Sequence, residues 1–391
     1  MSNPYHSLMK VGWITLGLLT SLVLLVIVLH GLQIVNAWQL PLKPVVVFLL
    51  CGSFTCFLTA KMMKQTPVSM SASPRPYRWR RRLLYFSIFL LISINVSTYL
   101  AAYALTHVRE PGQWGLGLPK PTHIRTPEER GLSYTTHRLP IDSSDWLEAW
   151  HIPAAGASSK GTVVLFPGNR STKDRQLIGP AQSISQLGYD SLLVDYQGMG
   201  GSSGYTTTVG MREAEDVVVA VDALPSLKLP PPVIVYGVSM GSAAILKAIS
   251  TQNLQPDAVI IELPFARFID AVRSRLRHHQ IPPFPLAELL VFWGGVQHGV
   301  NGFSHNPVEF ARAIQCPTLV MQGQQDPWTT VAEVKTLFQE ITAPKQLVIA
   351  PDGGHHQLIG IDRDLWETSL SHFLQLIDAD RTSWTPLSSH A

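Results

Sequence analysis

The sequence predicts an α/β fold, a mostly parallel sheet covered on both faces by helices, preceded by three transmembrane helices. Three observations predict it. From residue 161 onward, short strand-like runs alternate with helical stretches, the pattern of strand–helix–strand crossovers. Near the middle of that region Val233-Ile-Val-Tyr236 runs into Gly237-Val-Ser-Met-Gly241 and then into the helix-forming Ser242-Ala-Ala-Ile-Leu-Lys-Ala. Three long apolar runs fall within the first 105 residues.

Composition divides the chain the same way. Of 391 residues, 46% are hydrophobic and 15% charged, a balance that points to part of the chain lying in lipid. Residues 1–105 hold nine of the 30 Lys and Arg and none of the 27 Asp and Glu, so that part carries +9 and the remainder −6. The basic residues have no nucleic-acid motif beside them, so DNA and RNA are not expected partners. Cys51 and Cys56 fall in an apolar run and Cys316 stands alone in the polar part. No internal disulfide of that part and no metal-ligand spacing follows from them.

Membrane helices are expected at about residues 11–35, 40–60 and 83–105. Trp13, Trp38, Trp79 and Tyr85 lie near the run ends, where amphipathic rings favour the interface. The first run is long for a cleaved signal peptide, the alternative reading. Lys61, Lys64, Arg75, Arg78, Arg80, Arg81 and Arg82 crowd the loop between the second and third runs, against Lys43 alone in the loop before. The positive-inside rule puts that loop in the cytoplasm and everything after the third run outside it. A bacterial inner membrane with the polar domain in the periplasm is the expected setting. The sequon Asn169-Arg-Ser171 sits where a glycan would obstruct the chemistry described below, which argues against an ER lumen.

Residues 106–133 hold four prolines and several glycines, too broken for a helix, and read as a tether or a wrapped extension. A hairpin follows at 135–139 and 146–152. Strands are expected at 161–166, 191–195, 233–236, 258–262, 318–322 and 346–349, and helices at 175–187, 211–224, 264–279, 286–298 and 365–377. The last residues, 379–391, read as a polar tail.

Chemistry concentrates at the strand–turn–helix around Ser239. Such a turn pushes the serine hydroxyl out at the strand's C-terminal edge. Gly237 and Gly241 leave room where strand and helix nearly touch, and the Met240 N–H faces a developing oxyanion from a helix N-terminus.

Together with three further motifs, this ordered set resembles the α/β-hydrolase superfamily over residues 134–378. Within it, the set is similar to the membrane-anchored branch of serine esterases, lysophospholipases and protein depalmitoylases. Leu165-Phe-Pro-Gly-Asn169 matches the turn that supplies a second oxyanion donor, which the resemblance assigns to the Asn169 N–H. Phe166-Pro167 stands where the family often has His. Asp195-Tyr-Gln-Gly-Met-Gly-Gly-Ser-Ser-Gly204 resembles a structural loop of the family, with Gln197 for the usual Arg, and Asp195 reads as a turn anchor. Gln322-Gly-Gln-Gln-Asp-Pro-Trp328 and Pro351-Asp-Gly-Gly-His-His356 supply Asp326 and His355, giving the chain order Ser239, Asp326, His355. The Gly-Gly-His alignment favours His355 over His356, and Asp352 reads as shaping its turn.

The resemblance makes residues 264–316 a cap over the site. Leu286 to His298 is apolar and suits an acyl chain, or else packs on the core. Arg267, Arg273, Arg275 and Arg277, with Arg170, Lys173 and Arg175, could meet lipid headgroups or an anionic substrate, or form a solvated face. The implied activity is hydrolysis of ester or thioester bonds of lipid-like or acylated substrates through an acyl-serine, with no cofactor. An aminopeptidase-like enzyme and a non-catalytic binding protein are the alternatives.

Overall fold

The computed structural model describes residues 76–383. The apolar runs expected at 11–35 and 40–60, and residues 384–391 of the tail expected at 379–391, lie outside the described residues, while residues 379–383 continue the last helix. The third run forms helix α1, Pro76–Thr106. Within it Arg80–Thr106 is long and apolar enough to cross a membrane. Its side chains from Leu83 to Ile92 are largely exposed, whereas Ala101 and Ala102 are buried.

Residues 107–133 wrap along the following domain. The Val108 N–H donates to Tyr205 O (2.8 Å) and the Gly200 N–H to Pro121 O (2.9 Å), while Lys120 Nζ reaches Ser202 O at 2.6 Å. Prolines that forbid a helix still permit extended chain, and backbone groups on both sides find partners.

The domain itself is one eight-stranded sheet. Its strands are β1 Thr135–Pro140, β2 Trp146–Ile152, β3 Thr162–Phe166, β4 Asp190–Val194, β5 Val233–Val238, β6 Ala258–Glu262, β7 Thr318–Gly323 and β8 Lys345–Ala350. The order across the sheet is β8-β7-β6-β5-β3-β4-β2-β1, with β2 antiparallel to its neighbours and all other pairs but β1–β2 parallel. The central strands are continuous apolar runs because both faces are covered. Alternate residues serve different cores. Val164 and Phe166 of β3 join the layer under helices α3 (Glu213–Asp222) and α4 (Met240–Gln252), whereas Val163 and Leu165 join that under α2 (Ile178–Gln186) and α8 (Arg363–Ser383). Each such side chain contributes about 1.5–3 kcal/mol by leaving water.

Two helices cross the C-terminal edge after β6: α5, Phe268–His278, and α6, Leu286–His298. Helix α5 starts four residues later than the apolar spacing suggests. Pro264 to Ala266 are buried, and extended Arg267 occupies the position before the first helical turn. The stretch read as one helix from 175 is a single turn, Lys173–Gln176, followed by α2. Helix α7, Val331–Glu340, follows β7 and opens with a Thr330–Glu333 capping box.

Candidate active site

Ser239 is the residue between β5 and α4, in mid-sheet with β3 and β6 on either side. Its backbone has φ 52° and ψ −105°, a region that costs a non-glycine residue about 1–3 kcal/mol. Neighbouring bonds hold the turn. The Ser239 N–H donates to Glu262 O at 2.8 Å, and the Ser242 hydroxyl lies 2.7 Å from Gly237 O and 3.0 Å from Glu262 O. A Cβ on Gly237 would stand 2.5 Å from the Gly241 carbonyl carbon, and one on Gly241 would stand 2.6 Å from Phe166 O. The nucleophile turn and the turn after β3 therefore pack backbone against backbone.

His355 and Asp326 reach Ser239 from the ends of β8 and β7. The Gln325 N–H donates to Gly353 O (2.7 Å), and any Cβ on Gly323 would collide with the carbonyls of Gly353 and Gly354. That close approach carries the two side chains together. Ser239 Oγ lies 3.0 Å from His355 Nε2, and His355 Nδ1 lies 2.6 Å from Asp326 Oδ2. An ionised carboxylate only accepts, so Nδ1 carries the proton and Nε2 is free to take one from the hydroxyl. Burial would raise the Asp326 pKa, but the His355 hydrogen bond and the N–H groups of Trp328 (2.8 Å) and Thr329 (3.1 Å) outweigh it and hold the carboxyl below the usual range. Gln322 adds a fourth donor at 3.0 Å.

The two expected oxyanion donors belong to the nucleophile turn and the turn after β3. Met240 is the first residue of α4, so its N–H has no carbonyl four residues earlier in the helix. Asn169 is exposed in a turn closed by the Ser171 N–H on Gly168 O (3.2 Å), with Gly168 N–H held by Gln176 Oε1 at 2.7 Å.

Beneath the site is a carboxylate that sequence reasoning missed. Glu262, fully buried at the end of β6, accepts from the Leu358 N–H (2.5 Å) and Trp366 Nε1 (3.2 Å), and the Tyr236 hydroxyl also bonds to it. It ties the His355 loop to the strand beside the nucleophile. Burial raises its pKa. A charged residue closing the apolar strand Ala258-Val-Ile-Ile-Glu262 was the signal available in the sequence.

The basic residues separate into distinct roles. Lys173 does not face a substrate: it is fully buried, with Nζ 2.5 Å from Asp195, 2.7 Å from Glu148 and 3.0 Å from His123 Nε2. His123, Glu148 and Asp195 are close enough together to ligate an ion, but the lysine ammonium occupies their centre. Arg273 pairs with Asp270 (3.0 Å) and Glu288 (2.7 Å), and Arg175 is exposed. Arg275 instead lies over the Trp328 ring at 4.4 Å, and that ring packs 4.5 Å from His355. The Nε of Arg170, next to Asn169, is buried without an acceptor, and burial lowers the pKa of its guanidinium.

The fold and the strand-end arrangement define an α/β-hydrolase. Residues 163–364, just over half of the chain, match the alpha/beta hydrolase family, and the chain belongs to it. Among characterised and uncharacterised relatives, it is similar to the uncharacterized protein YqkD of Bacillus subtilis (28% identity over 191 residues, 48% of this chain and 63% of that one). It is also similar to lysophosphatidylserine lipase ABHD12 of Macaca fascicularis (23% over 272 residues, 62% and 64%). The chain thus spans less than two thirds of the length of either protein. The Pyrococcus furiosus esterase Pf2001 has a similar structure, with TM-score 0.54 and 19% identity over 66% of this chain and 97% of that one, a likeness of fold.

Proposed function

We propose that the protein is a membrane-anchored serine hydrolase that cleaves ester or thioester bonds of lipid-like or acylated substrates. The observation that carries this reading is the continuous relay from Asp326 through His355 to Ser239 Oγ. Ser239 Oγ attacks the acyl carbon as His355 Nε2 takes its proton, and Asp326 stabilises the imidazolium. The tetrahedral oxyanion lies against the N–H groups of Met240 and Asn169. Collapse breaks the bond to the leaving alcohol or thiol, to which His355 returns the proton. Water, deprotonated by His355, then releases the acid and restores Ser239.

The apolar cap supports an acyl substrate, as do the words esterase and lipase in the names of similar proteins. An aminopeptidase is less well supported. Its amine would need a cap carboxylate, and Asp270 and Glu288 are both engaged by Arg273.

Labelling with a fluorophosphonate probe tests the reading: wild type is labelled and Ser239→Ala is not. A folded wild type that takes up no label would instead be a binding protein. Rates on p-nitrophenyl esters of graded chain length, set against aminoacyl-naphthylamides, separate esterase from peptidase. The proposed placement outside the cytoplasm predicts that protease added to intact spheroplasts cuts the domain.

A further inference from the structure

The cap is joined to α1. Ala101 and Ala102 are buried beneath Leu290 of α6, the Tyr99 ring meets Trp293 edge-on at 5.5 Å, and Gln297 Nε2 donates to Tyr99 O at 2.9 Å. Among the described residues, the other side of α6 has no such cover. Phe292 and Val296, one turn apart, are exposed, as are Phe284 just before the helix and Phe303 just after it (42–76% of their surface). The one acid of α6, Glu288, is neutralised by Arg273, so the exposed strip carries no free charge. Large apolar side chains grouped this way mark an interaction surface.

The depth of α1 says what covers it. Counting from Leu83, the first residue after the arginines, about 20 helical residues cross about 30 Å of hydrocarbon. That count ends at about Ala102, among the residues that hold α6. Helix α6 is therefore fastened to α1 at the level where the crossing leaves hydrocarbon, and the Tyr99–Trp293 pair stands where aromatic rings favour the interface. Arg277 and His278, exposed at the end of α5 that leads to Phe284, suit an anionic surface beside it.

We propose that Phe284, Phe292, Val296 and Phe303 form a membrane-docking face, by which the cap rests in the interface of the same bilayer that α1 crosses. This rests on the membrane-anchored reading above. The occupant is lipid, not a second copy of the chain and not residues 1–75. Its consequence is that acyl chains reach the site from the bilayer. Helix α5, packed against α6 in the cap, carries Arg275 onto the Trp328–His355 stack beside Ser239.

The test uses full-length protein in nanodiscs of phosphatidylcholine and phosphatidylglycerol, with Cys51, Cys56 and Cys316 replaced by alanine. Nitroxide labels are placed singly at Leu90→Cys in α1, at Phe292→Cys and Val296→Cys, and at exposed Lys335→Cys on α7 as the aqueous reference. Collision with oxygen against a water-soluble nickel chelate reports depth. The expected result is oxygen preference at 90, a weaker oxygen preference at 292 and 296, and nickel preference at 335. Aqueous labels at 292 and 296 with lipid at 90 overturn the docking face and leave the anchor standing. An aqueous label at 90 removes the anchor itself. Labels at 292 and 296 shielded from both agents mean that protein covers the strip, which also overturns the proposal. A second readout is hydrolysis by Phe292→Ser/Val296→Ser. A long-chain ester embedded in the bilayer is expected to react at least about tenfold more slowly, roughly the loss of one apolar anchor, with a short water-soluble ester unchanged. Equal rates on both esters relative to wild type would speak against it.

Discussion

Two buried aspartates in this molecule have nearly the same immediate partner and different surroundings. Asp326 Oδ2 lies 2.6 Å from His355, and Asp195 Oδ2 lies 2.6 Å from His123. Both carboxyls are held below their usual pKa despite burial. The difference lies beyond the imidazole. The far nitrogen of His355 meets a hydroxyl that sits on a strained turn at the start of α4. Among the described residues His123 has no hydroxyl partner of that kind: its Nε2 is shared with the Lys173 ammonium, and Glu148 lies 3.7 Å from its Nδ1. An Asp–His pair orients a ring. What the other end of the ring touches decides whether it can move a proton in a reaction.

Breaking each pair gives the largest contrast. His355→Ala, or Asp326→Asn, which disturbs the tautomer, is expected to lower kcat for ester hydrolysis by about 10⁴ with little change in melting temperature. His123→Ala is expected to leave kcat per folded molecule within about threefold of wild type. Steady-state rates on a p-nitrophenyl ester check both, and an equal collapse in His123→Ala would erase the distinction.

Stability inverts the order. Asp195→Asn leaves the Lys173 ammonium in the interior with one fewer counter-charge, a loss expected at about 3–5 kcal/mol, or of order 10 °C in Tm. The sign of its pH dependence follows from the Asp195 pKa. Lys173 and His123 together outweigh the opposing effect of burial and depress it in the folded state. A depressed acid contributes stability above its unfolded pKa of about 3.9 and loses it as pH falls through the lower folded value. The gap between wild type and Asp195→Asn, read by circular dichroism melts in detergent, should therefore shrink between about pH 7 and pH 3. A gap that widens on acidification contradicts this account.

The two regions were unequally legible in the sequence. Ser239 stands in a short motif whose glycines follow from local geometry, where strand and helix touch, and the resemblance picks out Asp326 and His355 in loops after parallel strands. The sheet was legible too, because strands covered on both faces are unbroken apolar runs. The Lys173 cluster was not. It gathers residues 123, 148, 173 and 195 from four separate stretches, and only the wrapped course of residues 107–133 brings His123 to it. Lys173 read as a cation near the oxyanion turn because a lysine's burial depends on acids brought in from elsewhere in the chain. The apolar strip of α6 is a third case. Its hydrophobicity was plain, but a core helix and a cap helix share that pattern, and only the packing of one side against α1 separates them.

The smallest expected effect sharpens the catalytic side of the comparison. Arg275 lies over Trp328, which lies against His355, and among the described residues no carboxylate is within ion-pair distance of it. Its guanidinium donates a hydrogen bond to Ala271 O at 3.3 Å. Burial pulls its pKa down to about 10, partly offset by the charge of Asp326, so it stays cationic at neutral pH. A cation beside the relay, paired with no acid, is available to a substrate's phosphate or carboxylate. Arg275→Gln is then expected to reduce kcat/KM about tenfold for a lysophospholipid with an anionic headgroup, mainly through KM. A neutral monoacylglycerol should change by less than about twofold. Equal losses on both substrates, carried in kcat, would mean that Arg275 acts by holding Trp328 against the imidazole and has no part in choosing the headgroup.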